Sequence, residues 1–165
     1  IVLSLNYGSS EYSIYKGLKR IRLSFNLDDI RNFVWRYKQS FSGIFEWRDE
    51  SVKQAYRSGS VKTVMGRRMF VNQHTKTTSI FNFPVQGSGS DGFKLALYYI
   101  DKKLKDLDAE IVHILHDEVI VEVKTEIADV AADIIKESME EVFMKLIPNI
   151  SFKVDPEIRH TWAAA

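Results

Sequence analysis

Two adjacent carboxylates, Asp117 and Glu118, follow His116 between two short runs of β-branched and other apolar residues. Carboxylate oxygens are ligands that Mg²⁺ prefers, and two metal ions can activate an attacking oxygen and stabilise a leaving pyrophosphate. A tight turn between strands would bring both carboxylates towards one point and hold them there. The pattern therefore predicts a metal site for phosphoryl transfer, although a solvated hairpin turn has the same composition.

A second group of polar side chains, Asn82 and Gln86, lies in residues 82–91, which are rich in glycine and serine. Asn and Gln can hydrogen-bond to acceptors in the DNA minor groove, and small residues permit close approach of a phosphate or a base edge. The proline and the glycines also fit simple turn geometry, which predicts a turn over residues 84–89. Nucleic-acid contact and a structural turn are both compatible with this segment.

Two further signals are a pair of arginines and a tyrosine at the end of an apolar run. Arg67 and Arg68 follow Gly66, so a hairpin tip would present them to phosphates or simply to water. Tyr7 precedes Gly8, and glycine commonly terminates helices. The tyrosine ring could stack on a base, or it could pack in the core.

The elements that would position these residues follow from periodicity. Alternating apolar residues predict a hairpin of strands 111–115 and 119–123, a smaller hairpin over 60–70 and a closing strand over 151–154. Apolar residues at helical spacing predict helices over residues 1–5, 12–18, 26–40, 45–58, 91–107 and 125–146. The expected helix caps are Asn26 with Asp29 in a capping box, Ser88 with Asp91, and Thr125. The helix that Thr125 begins is expected to bury Val130. Helices packed on an antiparallel sheet make an α+β fold.

The bulk composition is that of an ordinary globular chain. It has 165 residues, 45% hydrophobic and 27% charged, and no cysteine, which excludes disulfides and thiolate metal ligands. No apolar run approaches the ~20 residues of a membrane helix, so no membrane partner is expected, and nothing indicates an oligomer. The chain begins with Ile1 inside an apolar run and ends in three alanines, which predicts a piece of a longer protein with an added tail.

Charge is unevenly distributed along the chain, although the net value is only +1. Residues 1–76 contain 14 Lys and Arg against 6 Asp and Glu, a net +8, whereas residues 77–165 contain 9 against 16, a net −7. A basic half attracts polyphosphates and an acidic half can hold divalent cations, but both are also compatible with a solvated surface.

Taken in order, these segments resemble the motifs of family A (polymerase I-like) DNA polymerases over nearly the whole chain. Residues 1–8 resemble the end of the fingers helix that closes on the incoming nucleotide, and residues 63–68 resemble the family's Thr-x-x-Gly-Arg-Arg segment. Residues 82–91 resemble its Asn-x-Pro-x-Gln-Gly-x-x-x-Asp motif, and residues 114–119 resemble its motif C.

The resemblance implies that the intact parent protein carries out template-directed DNA synthesis at a two-metal Mg²⁺ site, with primer–template DNA and dNTPs as partners. Residues 1–59 would be a helical remnant of the fingers, and residues 60–165 would be palm, with an antiparallel sheet and packed helices. The resemblance implies that Asp117 is a metal ligand, with Glu118 beside it and His116 near the primer terminus. The residues implied to lie at the nucleotide and the templating base are Tyr7, Gly8 and Leu3. Those implied to lie at the primer–template are Asn82, Gln86, Arg67 and Arg68. The arginines would contact the DNA backbone or stabilise the palm. The location would be the cytoplasm at the nucleoid, or a phage-infected cell, with an organelle as an alternative.

The sequence departs from the family pattern in several places. It contains neither the first carboxylate motif, which supplies the second catalytic Asp, nor the phosphate-binding Lys and Arg of the fingers helix, so the chain alone is expected to be inactive. Leu3 replaces an aromatic residue that helps to position the sugar, and Thr78 stands where an arginine is common. Together with a short loop over residues 70–78, these differences predict a divergent member of phage or prophage type.

Two alternative functions use some of the same residues. A single-subunit RNA polymerase of the phage and mitochondrial type shares the Tyr-Gly helix and a His-Asp turn, but Glu118 and the Gln86-Gly87 pair differ from that pattern. A non-catalytic nucleic-acid-binding module would need only the basic half of the chain.

Overall fold

A computed structural model describes residues 1–23 and 25–162, so the predicted alanine tail lies outside the described residues. Within these residues the fold consists of six α-helices and two antiparallel hairpins. The helices are α1 (Val2–Asn6), α2 (Glu11–Arg20), α3 (Leu27–Ser40), α4 (Ser42–Ser58), α5 (Thr77–Leu104) and α6 (Ala128–Leu146). The strands are β1 (Ser60–Lys62), β2 (Arg68–Phe70), β3 (Ala109–Leu115) and β4 (Glu118–Val123). The predicted α+β class is confirmed.

The chain divides into two compact units, Ile1–Val85 and Gln86–Ala165, and α5 contributes residues to both. Among the described residues, no helix combines the length and the apolarity that crossing a bilayer requires. The assignment of residues 1–59 to fingers and 60–165 to palm stays a prediction.

The core of the first unit forms where α1, α2 and α3 meet. Each helix carries apolar residues at helical spacing, so each buries one stripe. The buried residues are Leu5, Ile14, Ile30 and Val34. The predicted capping box is confirmed, because the Asp29 amide donates to Asn26 Oδ1 at 2.8 Å and the Asn26 amide donates to Asp29 Oδ2 at 3.0 Å.

The hairpin predicted over residues 60–70 is also present. Val61 of β1 pairs with Met69 of β2, and the connection between the strands contains Gly66 at a φ of +85°. Glycine adopts this left-handed conformation without the steric cost that a Cβ would add. The hairpin therefore presents Arg67 and Arg68 directly after the turn, as predicted.

The core of the second unit lies between the β3–β4 hairpin and helices α5 and α6. Ile100 and Leu104 of α5 and Ala131 of α6 are buried there, and apolar side chains of both strands pack against them. Ile100 and Leu104 are four residues apart, so they share one face of α5. The predicted apolar stripe of this helix is confirmed.

The turn predicted over residues 84–89 is wrong, because Pro84 and the following glycines lie inside the continuous helix α5. Ser88 and Asp91 are likewise interior helix residues rather than caps, and Ser88 is buried. Pro84 lacks the amide that would donate to the Ile80 carbonyl, which costs stability in an isolated helix. In the folded chain Ile80, Phe81 and Ser88 are all buried by tertiary packing, which overrides the local preference of Pro and Gly.

The closing strand predicted over residues 151–154 is also wrong, since that segment is irregular. It is held by contacts to α6: the Val154 amide donates to the Glu140 carboxylate at 2.9 Å, and the Phe152 ring lies 5.0 Å from that of Phe143. A side-chain acceptor thus satisfies an amide that a strand would have paired with backbone.

The start of α6 differs from the prediction in two ways. Thr125 does not cap the helix; it begins a 3-10 turn over Thr125–Ile127, and α6 follows at Ala128 without a side-chain cap. Val130 is 51% exposed rather than on the buried face. The buried face of α6 instead contains Ala131, Ser138 and Val142, which recur at helical spacing.

Candidate functional site

The His116-Asp117-Glu118 segment forms the tip of the β3–β4 hairpin. Leu115 pairs with Glu118, so only His116 and Asp117 make the turn, and His116 adopts a left-handed φ of 54°. Histidine is among the residues that tolerate this region better than branched side chains. The predicted tight turn is present, and it exposes Asp117 and Glu118 next to each other.

The register of this hairpin shifts between Ile111 and His113, which leaves Val112 as an extra residue in β3. A β-bulge bends its strand and increases the local twist, and such bulges often re-aim side chains near functional sites. The bulge lies four residues from the turn, so it sets the direction in which the acidic tip projects.

The donor chemistry of the tip is compatible with magnesium. Asp117 and Glu118 offer hard carboxylate oxygens with space for water, which fits the preference of Mg²⁺ for one or two carboxylates plus water and phosphate oxygens. Within residues 1–23 and 25–162, no three His, Asp or Glu side chains are grouped closely enough to hold a metal ion by themselves. The described residues therefore fit a magnesium ion only as part of a ligand set that other groups complete.

Beside the tip, the second unit contains a cleft of about 890 Å³. Val119 and Val121 of β4 and Ala131 and Ile135 of α6 contribute apolar walls, and Asp117 also lines the cleft. Residues 154–159, Thr161 and Trp162 also line the cleft, and the Trp162 ring approaches His113 of β3 with 5.2 Å between ring centres. The acidic tip thus borders a cleft that apolar side chains of β4 and α6 line in part.

In the first unit, α1 ends at a left-handed glycine, and the Tyr7-Gly8 pair predicted this helix end. Gly8 has a φ of +89°, its amide donates to the Leu5 carbonyl at 3.0 Å, and the Ser9 amide donates to the Ser4 carbonyl at 2.8 Å. These two bonds are those of a Schellman motif, with glycine at the left-handed position. The motif fixes Tyr7 as the last residue before the reversal, with 41% of its surface exposed.

The glycine is also required by close packing. A Cβ at Gly8 would lie 2.8 Å from Thr78 Cγ2 and 2.9 Å from Phe81 Cζ. Asn82, one turn further along α5, donates from Nδ2 to the Tyr7 carbonyl at 3.4 Å. Two predicted site residues, Tyr7 and Asn82, are therefore in contact. Leu3 is 67% exposed on α1.

Asn82 and Gln86 lie four residues apart in α5, close to one helical turn, and Gln86 is therefore helical rather than part of the turn predicted over residues 84–89. A helix holds side chains at this spacing more rigidly than a surface turn would. Gln86 is exposed. Both side chains therefore project from the same helix.

The two arginines of the small hairpin have different surroundings. The Arg67 guanidinium lies 5.3 Å from the centre of the Phe83 ring, and the Arg67 amide donates to Thr63 Oγ1 at 3.1 Å. Arg68 is exposed on β2, opposite Lys62. The cation–π contact supports a stabilising role for Arg67, while the exposure of Arg68 beside a second cation suits phosphate contact.

One residue beside Tyr7-Gly8, Arg48 of α4, was missed by sequence reasoning. Its Nη1 donates to the Leu5 carbonyl at 3.1 Å, and its guanidinium carbon lies 3.8 Å from the centre of the Phe81 ring. Burial lowers the pKa of Arg48 from its usual value, with a smaller opposing effect of Asp49. A signal was present, because Arg48 falls at helical spacing between the apolar residues Phe45 and Val52.

Comparison with known proteins identifies the family. The family model described as DNA polymerase family A matches residues 1–164. The chain belongs to this family. It is 30% identical over 167 residues to the thermostable DNA polymerase I of Thermus aquaticus, which covers 93% of the chain and 20% of that protein. It is also 30% identical over 141 residues to DNA polymerase I of Aquifex aeolicus (strain VF5), covering 83% of the chain and 24% of that protein.

A solved structure of the same family supports the fold. The POL domain of Pol1 from M. smegmatis, in complex with DNA primer-template and dNTP, superimposes with a TM-score of 0.73 at 25% identity. The match covers 86% of this chain and 26% of that one. The chain thus spans about a fifth to a quarter of the length of these relatives.

Proposed function

We propose that the parent of this chain is a DNA-directed DNA polymerase whose reaction centre includes the His116-Asp117 turn. The observation that carries the proposal is the two-residue turn of a bulged hairpin, which exposes Asp117 and Glu118 side by side. Family membership supports it, because relatives that match 83% and 93% of the chain are named DNA polymerase I. In this proposal residues 1–59 belong to the fingers and residues 60–165 to the palm.

Asp117 is the proposed magnesium ligand in a two-metal site, with Glu118 acting through water or through the local field. When bound, the ions supply Lewis-acid activation of the primer 3′-hydroxyl and stabilise the leaving pyrophosphate. His116 contributes a hydrogen-bonding ring that is held beside the carboxylates by its left-handed backbone. The second Asp of the ligand set is not in this sequence, so the 165-residue chain alone is expected to incorporate no nucleotide.

The other site residues are proposed to bind the substrates. Tyr7 would contact the templating base, with Gly8 permitting the close packing behind it and Leu3 on the exposed side of α1 towards the nucleotide. The amides of Asn82 and Gln86 would reach minor-groove acceptors of the primer–template. The Pol1 relative, solved with primer-template and dNTP, supports these two substrate classes.

Deoxyribonucleotides are the proposed substrates, since the relatives are named DNA polymerase I. The single-subunit RNA polymerase alternative is tested by supplying ribonucleotides and deoxyribonucleotides to the same parent protein. Faster incorporation of ribonucleotides would favour that alternative. A DNA substrate would place the parent at the nucleoid, in a phage-infected cell or in an organelle.

The decisive experiment is Asp117→Ala in the full-length parent. Loss of a metal ligand should lower single-nucleotide incorporation by at least about 1,000-fold. Affinity for primer–template should change by less than about threefold, because phosphate contacts dominate DNA binding. Primer extension and fluorescence anisotropy measure the two quantities.

The matched control is Asp133→Ala, which removes an exposed carboxylate from α6. It should leave incorporation unchanged. Near-normal primer extension by the Asp117→Ala protein would remove the assignment.

A further inference from the structure

Three consecutive residues at the end of α1 are each held by a side chain from a different helix of the first unit. Arg48 of α4 donates to the Leu5 carbonyl at 3.1 Å, and Tyr37 of α3 donates from its hydroxyl to Asn6 Oδ1 at 3.0 Å. Asn82 of α5 donates to the Tyr7 carbonyl at 3.4 Å. A helix of five residues has little stability of its own, so these contacts decide where it ends and how it points.

Arg48 occupies the central position among these contacts. The carbonyl it binds is the same one that accepts the Gly8 amide at 3.0 Å, so the guanidinium bonds directly to the turn. Its Nη2 lies 3.4 Å from the point where a Cβ of Gly8 would be. The charged group therefore packs against the glycine as well as binding the turn.

Aromatic rings fix the orientation of this guanidinium. Its central carbon is 3.8 Å from the centre of the Phe81 ring and 5.3 Å from that of the Phe45 ring. A planar cation over an aromatic face gains electrostatic attraction and loses rotational freedom. Arg48 is thus a preorganised donor rather than a flexible surface cation, and its side chain is partly buried.

We infer that Arg48 is a positioning residue that sets the orientation of Tyr7 and thereby the affinity for the incoming nucleotide. This inference rests on the proposed role of Tyr7 beside the nascent base pair. Without the guanidinium, the Leu5 carbonyl loses a charged donor and the Phe81 ring loses the cation that packs on its face. The last turn of α1 then samples other orientations, and Tyr7 follows because it is the next residue.

The test compares Arg48→Met, Arg48→Lys and Arg57→Met in the full-length parent. Arg48→Met keeps an apolar stem but removes charge and donor, so KM for the nucleotide should rise about tenfold with kcat within about threefold of the original. Arg48→Lys keeps a charge and one donor, so it should recover part of the KM effect. Arg57→Met removes an exposed arginine from the same helix and should change neither parameter.

Hydrogen exchange gives a readout that does not depend on activity. In Arg48→Met, amides of residues 5–9 should exchange about tenfold faster, while those of α3 stay protected. If Arg48→Met does not fold, the same comparison is made with Arg48→Lys, which should show a smaller local increase.

The inference on Arg48 fails if KM and the exchange of residues 5–9 are unchanged in a parent that depends on Asp117. It fails equally if exchange rises throughout the first unit, or if Arg57→Met has the same effect. A parent that synthesises no DNA would refute the proposed function instead, and the exchange result would still report whether Arg48 holds the turn.

Discussion

Gly8 combines a backbone conformation and a packing position that both exclude a side chain. Its φ of +89° is left-handed, and a Cβ would approach Thr78 Cγ2 to 2.8 Å and Phe81 Cζ to 2.9 Å. The left-handed conformation alone costs a non-glycine residue about 1–2 kcal/mol, and forced overpacking adds about 1–3 kcal/mol. Gly8→Ala should therefore lower the free energy of unfolding by about 2–5 kcal/mol, measured by urea denaturation of the chain.

Gly17 provides the matched control for this substitution. It lies inside α2, and nothing is within 4 Å of the position of its Cβ. Gly17→Ala should raise the free energy of unfolding by about 0.5–1 kcal/mol, because alanine loses less backbone entropy in a helix. Equal destabilisation by both substitutions would contradict the packing argument at Gly8.

At the residue scale, the sequence predicted features that depend on neighbours in the chain. The capping box needs only Asn26 and Asp29, three residues apart, and the end of α1 needs only a glycine after an apolar run. Arg48 could not be predicted in the same way, because its acceptor, the Leu5 carbonyl, is 43 residues away. The same holds for the contact of Asn82 with Tyr7, 75 residues apart.

At the scale of elements, Gly92 sets how closely α5 and α6 approach. A Cβ there would lie 2.7 Å from Phe143 Cε1 and 3.2 Å from Leu146 Cδ1. Phe143 is also in contact with Phe152, so its ring has limited freedom to move away. Gly92→Ala should lower the free energy of unfolding by about 1–3 kcal/mol, as overpacking of a well-filled core does.

A control for the Gly92 prediction is available one turn earlier in the same helix. Gly89 is exposed, and nothing lies within 4 Å of its Cβ position. Gly89→Ala should stabilise the chain by about 0.5–1 kcal/mol through helix propensity alone. Thermal or urea unfolding of the two variants separates helix packing from helix propensity, and a gain in stability for Gly92→Ala would show that α6 can move away.

The elements that the sequence predicted well have strong local periodicity. The β3–β4 hairpin follows from two β-branched runs separated by three residues, and α3 follows from its cap and its apolar stripe. The first half of α5 was misread because Pro84 and three nearby glycines are local turn signals, whereas the burial that favours a helix comes from distant residues. The strand expected over residues 151–154 failed because Glu140, a side chain of α6, accepts the Val154 amide.

At the scale of the whole molecule, the two compact units have opposite charge. The boundary between the units falls after residue 85, and residues 77–85 contain no acidic or basic side chain. The first unit therefore has the same net charge of +8 as residues 1–76, and the second unit has the same net charge of −7 as residues 77–165. DNA should therefore be bound mainly through the first unit, and binding should release counterions. The acidic second unit is expected to contribute little to phosphate binding.

Salt dependence tests this division of charge. If the chain neutralises about four phosphates of duplex DNA, the logarithm of the association constant should fall with the logarithm of salt concentration with a slope of about −3.5. Replacing three basic residues of α2 by glutamine should reduce the magnitude of that slope by up to about 3, since each lost phosphate contact contributes about 0.9. The three residues are Lys16, Lys19 and Arg20.

The matched variant replaces three lysines near the end of α5 in the acidic unit, Lys102, Lys103 and Lys105. It removes the same number of charges, so a long-range effect of net charge would lower DNA affinity equally in both variants. A local phosphate contact predicts that only the α2 variant changes the slope, because screening limits interactions to about 10 Å at 0.1 M salt. Fluorescence anisotropy with a labelled primer–template over a salt series distinguishes the two. Equal slopes for both variants would mean that the uneven charge of the two units does not direct DNA binding, and the phosphate contacts would then have to come from other residues of the parent.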